Sequence, residues 1–224
     1  MKLTVPTLLS FAAGFTDTAG FLAMHGLFTA HVTGNFVTIG AALVMGATGI
    51  VTKLLALPTF CAVVILARLL RYRLVAAGRP VFRTLLAIQL VLLVLGGAVA
   101  IAHGRFEHGD APAAMLAGLL LVAGMAVQNA VQRVHLGSAP PTTMMTGTTT
   151  QLMLDVADLL HGLPAEQRAA ARGRMARMGG AVLTFAAGCA AAALLYRYVG
   201  MWCFVLPPVL VLAALCHGDT AGDV

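Results

Sequence analysis

The chain has 224 residues, a mean hydropathy of +0.93 and only 10% charged residues. A water-soluble domain of this size needs far more polar surface, so the composition predicts a membrane-embedded protein without a separate aqueous domain. The net charge of +6 does not indicate nucleic-acid binding. The basic residues lie at the ends of apolar segments, and no basic patch with interleaved aromatic residues accompanies them.

The first apolar segment, 4–24, is expected to be a retained helix and not a cleaved signal peptide, because Asp17 interrupts it and no clear cleavage site follows. Asp17 lies about two thirds along it, on one face with Ser10, Gly14 and Phe21. A carboxylate at that depth must be paired, protonated or next to water. We predict a proton or cation site or a gating contact there. A structural hydrogen bond to a neighbouring helix is the alternative.

Five more stretches are long and apolar enough to cross a bilayer, for which about 20 residues suffice. After the first, they are 53–71, 82–102, 112–132, 176–197 and 200–216. Pro207-Pro208 is expected to kink the last one. Segments 34–48 and 146–162 are ambiguous, since the second carries two aspartates that oppose simple passage through lipid.

A short motif begins both ambiguous segments. Thr33-Gly34-Asn35 returns, slightly altered, as Thr146-Gly147-Thr148, about half a chain later. This self-similarity predicts a membrane protein of two related halves. The predicted divisions are a first repeat at 1–102, an external linker at 103–111, a second repeat at 112–217 and a short cytoplasmic tail at 218–224.

The distribution of basic residues favours one topology. If all eight segments cross, seven of the 14 lysines and arginines fall on each side. If the two Thr-Gly segments dip in and return, eleven share one side, which the positive-inside rule makes cytoplasmic. A model in which only 34–48 crosses also stays open, because it places ten of these basic residues on one side and four on the other. The favoured fold is an all-α polytopic bundle of six spanning and two re-entrant or broken helices, forming two inverted repeats, with both termini cytoplasmic.

The motifs resemble those of a known family. Gly-Phe-x-Asp-x-x-Gly-Phe at 14–21, followed by His31-Val32-Thr33-Gly34-Asn35, is similar to the YoaK-like family of bacterial inner-membrane proteins. Gln128-Asn129-Ala130 and Met145-Thr146-Gly147-Thr148 fit the same family. The resemblance covers almost the whole chain and implies a compact multi-pass protein of the bacterial inner membrane. It supplies no substrate, and Thr148 in place of Asn35 makes the halves chemically unequal.

The Thr-Gly motifs are candidate solute sites. Threonine can cap a helix, and glycine lets the backbone pass close to a helix or ligand. A helix that starts inside the membrane presents free N–H groups and a partial positive charge. Two such starts from opposite faces would meet near the midplane and hold a small polar or anionic group. Tight packing at the symmetry axis is the alternative. The predicted residues are Thr33, Gly34, Asn35, Thr146, Gly147 and Thr148.

Other polar residues extend this candidate site. Gln128 and Asn129 occupy the position of Asp17 in the second half, where they either line the same cavity or join helices by hydrogen bonds. Gln151 and Asp155 belong to a polar stripe with Asp158. That stripe faces either a water-filled cavity or arginines of a neighbouring helix. No metal site and no cofactor is predicted, since Asp158 and His161 alone are a weak pair.

The run of small residues at 179–193 predicts close helix packing, with the partner either within the chain or in a second copy.

The leading functional prediction is a small secondary transporter or narrow channel for a small polar or anionic solute or ion, with proton coupling through Asp17. An intramembrane metal-dependent hydrolase is a second hypothesis. A non-catalytic protein that binds partners or lipid is the third. Beyond the lipid bilayer and the solute, a homo-oligomer is a candidate partner and nucleic acid is not.

Overall fold

The computed structural model describes residues 4–217 and contains only helices and connecting turns within them. The all-helical prediction is confirmed for this part of the chain, whereas Lys2 and the predicted tail 218–224 lie outside it. Short 3₁₀ turns occupy Val32–Gly34 and Gly200–Val205. The α-helices are α1 (Val5–Ala23), α2 (Asn35–Met45), α3 (Ile50–Ala76), α4 (Val81–His103), α5 (Pro112–His135), α6 (Met145–His161), α7 (Ala165–Val199) and α8 (Leu206–His217).

Local sequence signals account for several helix ends. The Thr4 hydroxyl accepts a hydrogen bond from the Thr7 amide and caps α1. Pro112 begins α5, where its missing N–H has no partner to lose. Gly46 and Gly162 end α2 and α6 in left-handed conformations that favour glycine. The two short helices therefore stop where the sequence encodes a stop.

Two segments differ from their sequence predictions. Helix α7 begins at Ala165 and not near residue 176, because the alanine-rich stretch before the apolar run continues the helix. The expected proline kink in 200–216 is wrong. Pro207 and Pro208 lie in the first turn of α8, after a 3₁₀ turn, so they start a helix instead of bending one.

Length and apolar composition identify four described helical stretches that are able to cross a membrane. They are Ile50–Ala76, Val81–His103, Pro112–His135 and the continuous stretch Ala165–His217, which includes α7 and α8. Large apolar side chains cover the outside of the bundle. Val44 at the end of α2 and Tyr198 at the end of α7, for example, are 88% and 79% exposed. Such a surface suits hydrocarbon better than water.

The helices pack in pairs that recur. Helix α1 packs along α7, and α3 packs along α5. Helix α4 packs on α5, and α8 packs on α1. The short helices α2 and α6 pack on α3 and α7. Each of these three contacts made by the first half of the chain thus has a counterpart four helices later.

Close backbone contact joins α1 to α7. A side chain on Gly14 would collide with the Phe185 carbonyl, and one on Gly188 would collide with the Phe11 carbonyl. The two glycines allow the helices to approach to backbone contact at this crossing. The partner of Gly188 in the small-residue run is therefore α1 of the same chain.

One end of the bundle brings together parts distant in sequence. The imidazole of His25 lies 2.9 Å from the Phe106 carbonyl, and Gly49 packs against Gly109. The end of α1, the start of α3 and the α4–α5 connection therefore meet at one end, called the His25 end. The segment between α1 and α3, which contains α2, begins and finishes there. The opposite end, where Arg71 and Arg133 line one cavity, is called the Arg133 end.

Candidate functional site

Asp17 anchors the chain segment that precedes α2. Its side chain is buried, and Oδ1 accepts hydrogen bonds of 2.7 Å from the backbone amides of Thr29 and Ala30. A longer bond of 3.4 Å comes from the His31 amide. A carboxylate that accepts several N–H groups satisfies donors that would otherwise lie buried without partners. The carboxylate therefore holds a non-helical stretch of backbone against the C-terminal half of α1.

His31 completes this arrangement. Its Nδ1 lies 2.7 Å from Oδ2 of Asp17, and its ring packs edge-on against Phe185 of α7. The hydrogen bond that His31 donates to Asp17 raises the pKa of His31 above its ordinary value of 6.5, against an opposing effect of burial. The pair joins one buried carboxylate to one half-buried imidazole, which is a chemical unit able to take up and release a proton.

The first Thr-Gly motif closes the same loop. Asn35 is buried, accepts a hydrogen bond from the Phe28 amide at 2.8 Å and donates one to the Phe28 carbonyl at 2.9 Å. Gly34 lies against the Phe28 ring, where a side chain would collide. Thr33 is exposed and does not cap α2, because Gly34 is the N-cap residue and no side chain bonds there. The amides at the start of α2 therefore lack a side-chain cap.

The corresponding network of the second half involves Gln128 and Asn129. Gln128 is buried and donates hydrogen bonds to the Leu9 carbonyl at 2.9 Å and to the Thr142 hydroxyl at 3.1 Å. Asn129 accepts a 2.7 Å hydrogen bond from the Thr143 hydroxyl. Both side chains of α5 thus hold the segment that precedes α6, much as Asp17 holds the segment that precedes α2.

The second Thr-Gly motif lies on the first turn of α6. Thr146 and Gly147 are exposed, and Gly147 has open space where a side chain would project. Thr148 is buried, and its hydroxyl donates a hydrogen bond to the Met144 carbonyl. Met144 is the N-cap residue, without a side-chain cap. The predicted capping by the motif threonines is therefore wrong in both halves.

Asp155 forms an ion pair between α6 and α7. Its carboxylate is buried and accepts hydrogen bonds from Arg174 at 2.8 and 3.2 Å, and Gln151 donates a third at 3.3 Å. The guanidinium of Arg174 holds the pKa of Asp155 below its usual value. Of the two sequence interpretations of this stripe, the geometry fits the arginine contact.

The predicted residues therefore form three groups. Asp17 and Asn35 both bond to the loop before α2. Gln128 and Asn129 both bond to the segment before α6. Gln151 bonds to Asp155, which pairs with Arg174. The packed helix pairs do not include α2 with α6. A small apolar cluster adjoins the first group, since Phe185 packs against His31, and its side chains come from α1, α5, α7 and the loop before α2. Its members are Ala13, Ala30, Met125 and Phe185.

Sequence reasoning missed two polar contributions. Gln89 of α4 is fully buried and donates a 2.7 Å hydrogen bond to the Gln128 side chain. Its position as an uncharged polar residue within an apolar span was the available signal. Asp110 accepts hydrogen bonds from the amides of Gly49 and Thr52 and caps the start of α3. Nothing local predicts that contact, because it joins residues about 60 positions apart.

The histidines and carboxylates do not gather into a metal-binding set. Within residues 4–217, no group of three or more His, Cys, Asp or Glu side chains has the geometry to hold a metal ion. The four cysteines are unpaired thiols. The geometry therefore offers no observation in favour of the hydrolase hypothesis.

An apolar exterior around a buried polar centre identifies a helical membrane protein. The chain belongs to the family described as "Protein of unknown function (DUF1275)", whose profile matches residues 5–217. No curated protein matches the chain, and no solved structure matches it. The family match does not carry the YoaK-like name, so that resemblance stays a prediction.

Proposed function

We propose that this protein is a small secondary transporter for a polar or anionic solute, with Asp17 and His31 as its proton-coupling pair. The observation that carries the proposal is the buried carboxylate of Asp17, which bonds at once to His31 and to the loop amides of Thr29 and Ala30. Ionisable groups inside a membrane protein are costly and usually functional. Here a change of protonation acts directly on the backbone of an interrupted segment.

The recurring helix pairs support a bundle of two inverted halves. The contact of α1 with α7 corresponds to that of α5 with α3, and α4 with α5 corresponds to α8 with α1. With α1 to α4 as one half and α5 to α8 as the other, each half has three crossings and one re-entrant helix. Three crossings reverse orientation, so α2 enters from one side and α6 from the other.

The distribution of basic residues orients this bundle. The Arg133 end carries most of the arginines, which makes it the cytoplasmic end in a bacterial inner membrane, with both termini cytoplasmic. The His25 end then faces the outside. The first half is 1–102 and the second is 112–217, as the sequence motifs predict.

In this proposal, the apolar cluster around Met125 and Phe185 forms the barrier that the solute has to pass. A polar solute passes such a barrier only when the halves separate, which is the alternating-access motion of inverted-repeat transporters. His31 contacts Phe185 directly, with ring centroids 5.4 Å apart. Proton transfer at the pair is therefore linked by contact to the barrier that has to open.

The uncapped starts of α2 and α6 are the proposed solute contacts. The partial positive charge at a helix start attracts an anionic or strongly polar group. The exposed Thr33 and Thr146 lie at these starts. A channel uses the same residues without separation of the halves. Solute movement through a channel is independent of a proton gradient, whereas proton-coupled transport depends on one.

Proteoliposomes that contain a trapped pH indicator test the proposal. A panel of small acids, amines and sugars is added outside, and we expect at least one solute to produce protein-dependent proton movement. Asp17→Asn is expected to abolish this signal, whereas Asp158→Asn, at an exposed carboxylate of α6, leaves it intact. Solute uptake that is equally fast in Asp17→Asn and independent of the pH gradient would instead identify a channel.

A further inference from the structure

A groove between α3, α4 and α5 combines an apolar floor with an arginine-rich rim. At the Arg133 end it is a cavity of about 460 Å³ lined by Arg68, Arg71 and Arg133. A cavity of about 440 Å³, whose lining is apolar except for Arg73, continues it along the same three helices, and Ala67 and Leu85 line both. We propose that this groove binds an anionic phospholipid, with its phosphate among the three guanidinium groups and an acyl chain in the apolar part.

The three arginines lack carboxylate partners among the described residues. Arg68 donates to the Tyr72 hydroxyl and packs on its ring, and Arg133 donates to the Met144 sulfur at 3.5 Å. The Nε of Arg71 is buried and has no hydrogen-bond partner within the described chain. A buried donor without a partner is costly, and a phosphate oxygen satisfies it by a charge-assisted bond.

The depth of the arginines fits a headgroup. Arg68 lies about 27 Å along α3 from Ile50, at 1.5 Å per residue, and the hydrocarbon core is about 30 Å thick. The guanidinium groups therefore reach the level of lipid phosphates when α3 spans the bilayer. A soluble anion needs no apolar extension at this point.

The apolar part runs in the direction of an acyl chain. From the arginines toward the middle of the bundle, its lining passes from Leu85 to Leu92 on α4 and from Val127 to Ala123 on α5. Both helices thus carry the lining toward the bilayer midplane, away from the headgroup level. Charge at one end and a hydrocarbon floor at the other match one amphiphile better than two separate ligands.

Native mass spectrometry of the detergent-purified protein tests the site with phosphatidylglycerol and phosphatidylcholine of identical acyl chains. We expect phosphatidylglycerol to bind on the order of 100-fold more tightly, since each of the three arginines gives about a fivefold preference for a lipid of net negative charge over the zwitterionic one. The triple variant Arg68→Gln, Arg71→Gln, Arg133→Gln should lose this preference. The matched control, with Arg79, Arg168 and Arg172 changed to glutamine, removes the same charge and should keep it.

A second variant addresses the acyl part without touching charge. Ile88→Trp fills the apolar groove and should weaken phosphatidylglycerol binding, whereas Val94→Trp, at an exposed site of the same helix outside this groove, should not. Equal binding of the two lipids, or an unchanged preference in the arginine triple variant, would overturn the proposal. Competition by soluble glycerol 3-phosphate at equal concentration would also overturn it, because that result identifies a site for free anions. None of these outcomes depends on transport.

Discussion

Replacing Asp17 by alanine is expected to lower the free energy of unfolding by about 3–5 kcal/mol, as removal of one partner from a buried charged network does. The change leaves the Thr29 and Ala30 amides without an acceptor and His31 without its counter-charge. Asp17→Asn keeps an acceptor oxygen for the two amides and should lose less than half as much. Unfolding in a fixed detergent, followed by tryptophan fluorescence or circular dichroism, measures the difference.

The exposed Asp158 of α6 provides the control, and Asp158→Ala is expected to change the free energy of unfolding by less than about 0.5 kcal/mol.

The pH dependence of stability tests whether His31 is the partner of Asp17. The folded-state pKa of His31 lies above its unfolded value of 6.5. Its contribution is therefore complete below that pH and is lost as pH rises through the folded pKa. His31→Gln should thus destabilise the protein at acidic pH and approach the wild type at alkaline pH. A difference that grows toward alkaline pH would contradict the assigned pair.

The second large effect is expected at the crossing of α1 and α7. Gly188→Ala should lower the free energy of unfolding by about 2–3 kcal/mol, because the added methyl group meets the Phe11 carbonyl and the Phe15 amide, which are fixed parts of a helix backbone. Gly180, two turns earlier on the same helix, has open space at the corresponding position. Gly180→Ala should therefore be neutral or stabilising by about 0.5–1 kcal/mol through helix propensity. The same unfolding assay compares the two, and equal losses would contradict backbone contact at Gly188.

The positions of the helices follow closely from the sequence because long apolar runs are a strong signal. Segment 82–102 became Val81–His103, and 112–132 became Pro112–His135. The start of α7 was misjudged for a physical reason. Apolar periodicity reports the part of a helix that meets lipid or the core, whereas α7 continues past it through a charged stretch that includes Arg174.

The roles of the candidate residues were less accessible than their positions. Depth in an apolar span singled out Asp17, but its partners lie in a loop 12 to 14 residues later that folds back onto the helix. Neither periodicity nor composition encodes that return. Asp155 was predicted to face either a cavity or an arginine, and only the packing of α6 on α7 selects Arg174.

The two motif copies illustrate the same limit. Asn35 and Thr148 occupy matching positions, yet Asn35 closes a loop onto Phe28 whereas Thr148 bonds one turn back along its own helix. A shared pattern therefore predicts that two segments begin short helices without predicting how each start is held. The unequal chemistry follows from the side chains, since only an amide offers a donor and an acceptor in one plane.

The proposed opposed orientation of the two halves underlies both the transport proposal and the proposed coupling role of Asp17, and sided cysteine labelling tests it most directly. In a background without the four native cysteines, single cysteines are placed at Ala47, Glu107, Ser138 and Glu166, all exposed. They are then treated with a membrane-impermeant maleimide in intact cells and in inverted vesicles.

We expect the cysteines at 47 and 107 to react only from outside, and those at 138 and 166 only from the cytoplasm. The segments containing α2 and α6 would then each return to the side from which they came, one from each face. Labelling of positions 47 and 166 from the same side would contradict two inverted halves, and the proposed mechanism would fail with them.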